Sequence, residues 1–269
     1  MTPGRSLSAR AHGPGGARDV TRALPEEVPV AVTCNGTTQA VMMCTPADLA
    51  DFARGFAFTE GYARPDQIER VEIIEQAQGV EARLWIAEEA AAALGARRRA
   101  MMGPVGCGLC GIESLEEALR HLPQVAGELT LDAGEAAGAV DALRAHQPLH
   151  DLTHAVHAAG HYLPGQGIAA AREDVGRHNA LDKLIGAMLR AGNDLARGAL
   201  VITSRVSVEM VQKAVLAGCP VLVAASAPTA HALRLAETAG LTVAAFARNG
   251  RIETFTHSRR ITAEATHVA

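Results

Sequence analysis

Ala199-Leu-Val-Ile-Thr203, Ser207-Val-Glu-Met-Val-Gln-Lys-Ala-Val-Leu-Ala217, Pro220-Val-Leu-Val-Ala-Ala225, Pro228-Thr-Ala-His-Ala-Leu-Arg-Leu-Ala-Glu-Thr-Ala239 and Leu241-Thr-Val-Ala-Ala-Phe-Ala247 follow one another with one to three residues between them. Short apolar runs alternate with longer stretches whose apolar residues recur at helical spacing. Strand and helix joined this closely predict a largely parallel sheet with helices on both faces, a three-layer α/β domain. Upstream, the same alternation begins with a short strand at Ile168 to Ala171 and a helix from Gly176 to Leu189. Downstream, Ile252 to Thr256 is a last strand after the Asn249-Gly250 turn. Two further helices are predicted before it, one opened by Ser114-Leu-Glu-Glu117 and one from about Asp132 to Ala145.

Nearer the start the texture differs. Val28 to Cys34 and Thr37 to Met43 flank Asn35-Gly36, a strong hairpin signal, and Val71 to Ile74 with Val80 to Ile86 read as a second strand pair. Between them Thr45-Pro46-Ala47-Asp48 predicts a helix start, with Thr45 as cap and Pro46 at the first helical position, running to about Tyr62. Residues 25–100 therefore form a small α+β subdomain and 101–262 the α/β domain, with a boundary between Glu89 and Gly103. Residues 1–24, rich in Arg, Gly and Pro with Asp19 the sole acid, read as a disordered tail, and 263–269 as a second tail.

Composition narrows the function. A chain of 269 residues and 28.0 kDa needs neither disulfide nor metal merely to fold. Aromatic residues at 3% and a net charge of −4 offer neither a stacking platform nor a basic footprint for a nucleic-acid polymer. No apolar run reaches the roughly 18 residues of a membrane span. Five cysteines, an odd number, suit a reducing, cytoplasmic setting with free thiols. Lys183 and Lys213 are the only lysines, so 23 of the 25 cationic residues are arginines, a bias that obliges each Arg to be argued from its position.

Four stretches carry candidate chemistry. Gly106-Cys107-Gly-Leu-Cys110-Gly111 spells G-x-G-x-x-G, yet Gly103-Pro104 and Arg97-Arg-Arg99 stand where a dinucleotide site needs a strand. Two thiols at C-x-x-C spacing beside a helix start favour the thiolate and can exchange disulfides, carry a persulfide or bind metal. Zinc needs two more ligands and no second C-x-x-C exists. His150, His154, His157 and His161, spaced by four, three and four, fall on one face if that stretch is helical, a structural face or a metal-binding one. The second stretch, Ala171-Arg-Glu-Asp-Val-Gly-Arg-His-Asn-Ala-Leu-Asp-Lys183, gathers polar groups where open α/β sheets bind ligands, although Asp174 also suits a plain helix cap. The third, Thr203-Ser204-Arg205-Val206-Ser207, fits an anion site or a cap by Ser204 or Ser207. In the fourth, Phe246 to Arg251, Arg248 and Arg251 flank a turn where guanidiniums can grip phosphate.

Taken together these stretches resemble the FdhD/NarQ family of accessory sulfurtransferases required for formate dehydrogenase activity. The resemblance runs from Cys44-Thr45-Pro46 through Phe56, Thr59-Glu60-Gly61, Cys107 to Cys110, Arg172 to Ala180 with Asp182-Lys183, Ser204-Arg205, Met210 to Lys213 and Phe246-x-Arg248 to about Thr256. One departure is local: where the family has Thr-Gly-Gly before its His, this chain has Thr153-His154-Ala155 ahead of His157. The resemblance implies that a cysteine desulfurase passes sulfane sulfur to Cys107, with Cys110 assisting exchange or resolving the adduct. The acceptor it implies is the molybdenum cofactor, a bis-molybdopterin guanine dinucleotide bound as substrate, on its way to the client formate dehydrogenase. It assigns cofactor contact to Phe246, Ala247, Arg248, Asn249, Gly250 and Arg251, and suggests a homodimer. It also implies a cytidine deaminase-like sheet, without catalytic zinc because H-x-E and P-C-x-x-C are missing. Chemistry agrees with this reading, since a thiolate attacking a persulfide works best with a pKa near ambient pH and a polyanionic acceptor calls for local arginines. The alternatives are a non-enzymatic cofactor chaperone, a dithiol oxidoreductase and a zinc-binding regulator. Asp174 and His178 are left between lining the pocket and organising a helix start.

Overall fold

The structure is a computed structural model and describes residues 1–101 and 122–263. Its first element corrects the expectation of a disordered tail. β1 (Gly4–Gly13) and β2 (Gly16–Pro25) pair antiparallel in full register, closed by Pro14-Gly15 with Gly16 at φ 95°. Abundant Arg, Gly and Pro conceal the alternation of Leu7, Ala9 and Ala11 with Ser6, Ser8 and Arg10, which is a strand pattern.

Beyond it stand the two hairpins expected. β3 (Val28–Cys34) and β4 (Thr37–Cys44) reverse at Asn35-Gly36, where φ is 46° and 80°, values that asparagine and glycine tolerate. α1 (Leu49–Thr59) follows, then β5 (Ile68–Gln76), β6 (Gly79–Ile86) and α2 (Glu88–Met101). The sheet order is β4-β3-β6-β5, with β3 and β6 parallel at its centre. Val30, Val32, Ala82, Leu84 and Ile86 bury one face of it against Phe52 and Phe56 of α1 and Ala90 and Leu94 of α2. The predicted helix cap at Thr45 does not form. α1 starts three residues later, behind Asp48 at φ 54°, because the Thr45 hydroxyl accepts the distant Val175 N–H instead.

The second unit adds β7 (Leu131–Asp132), α3 (Ala133–Arg144), α4 (Pro148–Thr153), β8 (His157–Leu163), β9 (Gly167–Asp174), α5 (Arg177–Arg190) and β10 (Ala199–Ile202). It closes with α6 (Val208–Leu216), β11 (Val221–Ala224), α7 (Ala230–Ala239), β12 (Thr242–Arg248), β13 (Arg251–Thr254) and β14 (Ile261–Thr262). The main sheet has the order β13-β12-β11-β10-β8-β9. α5, α6 and α7 cover one face through Leu181, Leu184, Met210, Val211, Ala232 and Ala236. α3 covers the other with Ala136, Ala139 and Leu143. The three-layer α/β arrangement therefore stands, but the sheet is mixed. Only β10, β11 and β12 are mutually adjacent and parallel, because β8 intervenes antiparallel between β9 and β10. The helix predicted at Ser114 lies outside the described residues.

The two units meet along α1 and α5. Asp51, Gly55 and Thr59 form one stripe of α1, and Asp182, Gly186 and Arg190 one stripe of α5, each stepping by four residues. The stripes oppose each other in reverse order: Asp51 with Arg190, Gly55 between Asp182 and Gly186, Thr59 with Asp182. At the middle the backbones touch, since a Cβ on Gly55 would lie 1.9 Å from the Asp182 carbonyl oxygen and one on Gly186 1.8 Å from that of Asp51. At one end Asp51 accepts hydrogen bonds from Arg172 Nη2 at 2.7 Å and Arg190 Nε at 2.8 Å. Burial raises the Asp51 carboxyl, but the Arg190 and Arg172 guanidiniums outweigh it and hold the group below its usual value of 3.8. A folded value below the unfolded one means that stabilisation is complete above pH 3.8 and lost as pH falls through the folded value. Asp51→Asn should accordingly flatten the acid limb of stability against pH, read from urea midpoints between about pH 5 and 2; an unchanged slope would contradict this.

Candidate functional site

β9, β10, β11 and β12 all run in one direction, so their carboxyl ends share an edge, where open α/β sheets receive ligands. That edge gathers Val175-Gly176-Arg177, the Thr203-to-Ser207 loop, Ser226 and the Phe246-to-Arg251 segment. β12 bulges between Ala245 and Arg248, with Phe246 at φ 54°. Ala247 is buried on the α3 side, while Phe246 packs toward the opposite layer and sits 6.2 Å from the Phe255 ring. Asn249 and Gly250, at φ 52° and 69°, form the tight turn, and Arg248 and Arg251 face each other across it. Both are exposed, as is Arg205, and none makes an ion pair among the described residues. The predicted cofactor segment and Arg205 thus share one edge of the sheet.

The Arg-Glu-Asp-Val-Gly-Arg-His-Asn motif does something else. Asp174 is fully buried, and its carboxylate accepts from Thr45 N–H at 3.0 Å, Gly176 N–H at 2.8 Å and Asn179 Nδ2 at 2.9 Å, with Lys183 Nζ at 2.7 Å. Lys183 also donates to the Thr45 and Glu173 carbonyls. This network organises the start of α5 and ties it to the first unit, and it leaves Asp174 no face for a ligand. A second network joins Lys213 to Asp182 at 2.9 Å, Glu60 at 3.0 Å and Thr59 at 2.8 Å. Burial works against the Lys213 ammonium, but the Asp182 and Glu60 carboxylates prevail and hold it above the ordinary lysine range. His178 lies between these networks and the edge. Its Nε2 is buried without a hydrogen-bond partner among the described residues, 3.8 Å from Glu209, and burial, then Arg177 and Lys213, keep the imidazole below its usual value. Ser207 occupies the N-cap position of α6 but its hydroxyl makes no cap hydrogen bond, and the Ser204 hydroxyl donates to the Arg205 carbonyl.

The four histidines do not share a helix face. His150 lies on α4, His154 just after it, and His157 and His161 on β8. A four-residue step keeps one face on a strand as on a helix, which is why spacing misleads here. His161 is buried, with Nε2 3.3 Å from the Leu195 carbonyl. The other three line a cleft of about 540 Å³ with Asp141, Arg144 and Thr203. The rings of His150 and His154 meet edge to face at 5.5 Å, and His157 Nδ1 stands 3.4 Å from the Thr203 hydroxyl. Burial first, then Arg177 and His150, lower the His157 pKa. Among the described residues no three His, Cys, Asp or Glu groups approach closely enough to hold a metal ion. Asp141, Arg144 and Glu209 were not foreseen; nothing local in the sequence marks them, since it is the packing of α3 and α6 that brings them to the site. His154 occupies the left-handed region at φ 55°, where glycine is unstrained. His154→Gly should therefore raise stability by about 0.5–1 kcal/mol, read from urea midpoints; a loss would mean the imidazole contact with His150 matters more than the strain.

Cys34, Cys44 and Cys219 are buried free thiols. Burial pushes Cys34 up to about 11 and Cys219 up to about 12, and raises Cys44 further still, with the Asp174 carboxylate adding to it. None is a thiolate near neutral pH. Cys107 and Cys110 lie outside the described residues.

A model of the FdhD/NarQ family matches residues 25–262. The chain is 51% identical over 259 residues to the sulfur carrier protein FdhD of Brucella abortus, covering 96% of each, and 51% identical over 242 residues to that of Agrobacterium fabrum, covering 89% of each. A crystal structure from Desulfotalea psychrophila, assigned as a formate dehydrogenase accessory protein, superposes with a TM-score of 0.77 at 26% identity over 96% of this chain and 99% of that one.

Proposed function

The chain belongs to the FdhD/NarQ family, and from that premise we propose that it is a sulfur carrier that accepts persulfide sulfur from a cysteine desulfurase and transfers it to the molybdenum cofactor before formate dehydrogenase receives it. The observation that carries this reading is the fate of the cysteines. Three are buried and hold their protons, which leaves sulfur chemistry to Cys107 and Cys110, the pair with C-x-x-C spacing. The Cys107 thiolate attacks the outer sulfur of the donor persulfide. One S–S bond forms on Cys107 as another breaks, and the desulfurase cysteine leaves as a thiolate. In delivery, the Cys110 thiolate attacks Sγ of Cys107 and expels sulfide toward the acceptor, forming a Cys107–Cys110 disulfide that an external dithiol resets. Both electrons of the released sulfide come from this thiol pair.

The acceptor, a bis-molybdopterin guanine dinucleotide, is a polyanionic substrate. Arg248, Arg251 and Arg205, exposed at one sheet edge without ion-pair partners among the described residues, fit its phosphates by charge and by fork geometry. Phe246, Ala247, Asn249 and Gly250 shape the bulge and turn that present Arg248 and Arg251. Two copies of the chain work as a homodimer, with formate dehydrogenase as client. Among the described residues no helix is long and apolar enough to cross a membrane.

Incubation with a cysteine desulfurase and cysteine, followed by intact mass measurement, tests the assignment. The native chain should gain one sulfur, Cys107→Ala none, and Cys34→Ala the native amount. An unchanged adduct on Cys107→Ala would remove the persulfide from that residue. If Cys107→Ala still matures the dehydrogenase in a knockout strain while Arg248→Ala with Arg251→Ala does not, the protein is a cofactor chaperone instead.

A further inference from the structure

We propose that the β1–β2 hairpin is an arm by which two copies of this chain clasp each other, each arm lying along the body of the other copy. The inference rests on the homodimer of the preceding section and names the element that makes it. The arm precedes the family's matched region, which begins at residue 25. Among the described residues it is fastened at its base. Pro3 O accepts the Glu26 N–H at 2.9 Å, Gly4 abuts Leu149 and Leu152 of α4, and the Met1 ammonium reaches Glu75 at 3.2 Å. Its two faces differ. The cross-strand pairs Arg5↔Leu24, Leu7↔Arg22, Ala9↔Val20 and Ala11↔Arg18 put an apolar stripe and three arginines on one side. Ser6↔Ala23, Ser8↔Thr21 and Arg10↔Asp19 make the other side polar. On the first side Leu7 is 43% exposed and Leu24 42%.

A two-stranded ribbon with one apolar face is marginal in water unless something covers it. Charge indicates what does. The net −4 of the chain divides into +3 on residues 1–25, from four arginines and one aspartate, and −7 on the rest, so the body of a second copy attracts the arm. Area decides between one arm and two. Ten residues at about 3.4 Å along two strands about 4.8 Å apart give a face of about 330 Å². One arm laid on a different protein buries about 650 Å² counting both surfaces, short of the roughly 1,000 Å² that specific association needs, whereas two arms exchanged about a twofold axis bury about 1,300 Å².

Sedimentation velocity on the full-length protein tests this. The native chain should sediment at twice its 28.0 kDa. Leu7→Ser with Leu24→Ser should raise the dimer dissociation constant at least tenfold. Arg5→Glu with Arg18→Glu and Arg22→Glu should do the same by repulsion, and the thermal transition of the body should keep its midpoint in both variants. A native dimer whose dissociation constant neither set changes would overturn the arm and leave the homodimer standing; a native monomer would overturn the homodimer and the arm together. Variants that remain dimeric but lose binding to the desulfurase would assign the arm to a different protein and overturn the inference.

Discussion

Gly186→Ala lowers the stability of this protein by about 3 kcal/mol or more, at the upper end of what overpacking costs. The added Cβ would stand 1.8 Å from the Asp51 carbonyl oxygen and 2.8 Å from Gly55 N, both backbone atoms that no rotamer change can move aside. Relief requires α1 and α5 to separate, which lengthens the Asp51 bonds to Arg172 and Arg190 at one end and the Thr59–Asp182 bond at the other. At roughly 2–4 °C per kcal/mol for a chain of this size, Tm should fall by about 6–12 °C. Gly138→Ala is the internal control. It also lies within a helix, but its Cβ meets nothing within 4 Å, so it should gain about 0.5–1 kcal/mol from helix propensity. Equal effects at the two positions would show that the close crossing is not what requires glycine.

Lys183→Met should cost about 3–5 kcal/mol, the range for removing one partner of a buried ion pair. The ammonium and the Asp174 carboxylate are both fully buried at 2.7 Å, so the carboxylate would remain beneath the protein surface with only neutral donors. Adding Asp174→Asn should recover a large part of the loss, because no charge is then left buried, and a double-mutant cycle from urea unfolding reads the coupling. A single-mutant loss below about 1 kcal/mol would refute this account. Neither residue faces the carboxyl edge of the sheet, so loss of sulfur delivery in Lys183→Met should track the folded fraction, whereas Arg248→Ala should lower delivery with stability intact.

Local pattern carried much of the architecture. β10, β11 and β12 with α6 and α7 are periodic segments punctuated by short turns, and the sequence places them within one or two residues. β8 escaped because His157, Gly160 and His161 sit among alanines, without the β-branched residues that mark a strand. The failed Thr45 cap and the tie of Asp174 to the first unit were beyond local reading for one reason: Thr45 N–H meets Asp174 across 129 residues and the Thr45 hydroxyl meets Val175 N–H across 130. The motif residues were legible as a set, yet most serve to join the units. The arginines of the fourth stretch were legible as an exposed turn, and that they pair with no carboxylate among the described residues emerged only with the fold.

The seam between α1 and α5 also works as a ruler. Because charge, glycine and hydroxyl follow one another at four-residue steps on both helices, a slip by one turn would press the Asp51 side chain onto Gly186 and leave the Arg190 guanidinium without its carboxylate. Two greasy helices can sample neighbouring offsets at little cost, but these two have a single setting. Chimeras that exchange the first 86 residues with a relative should therefore fold only when Asp51, Gly55 and Thr59 travel with partners matching Arg190, Gly186 and Asp182.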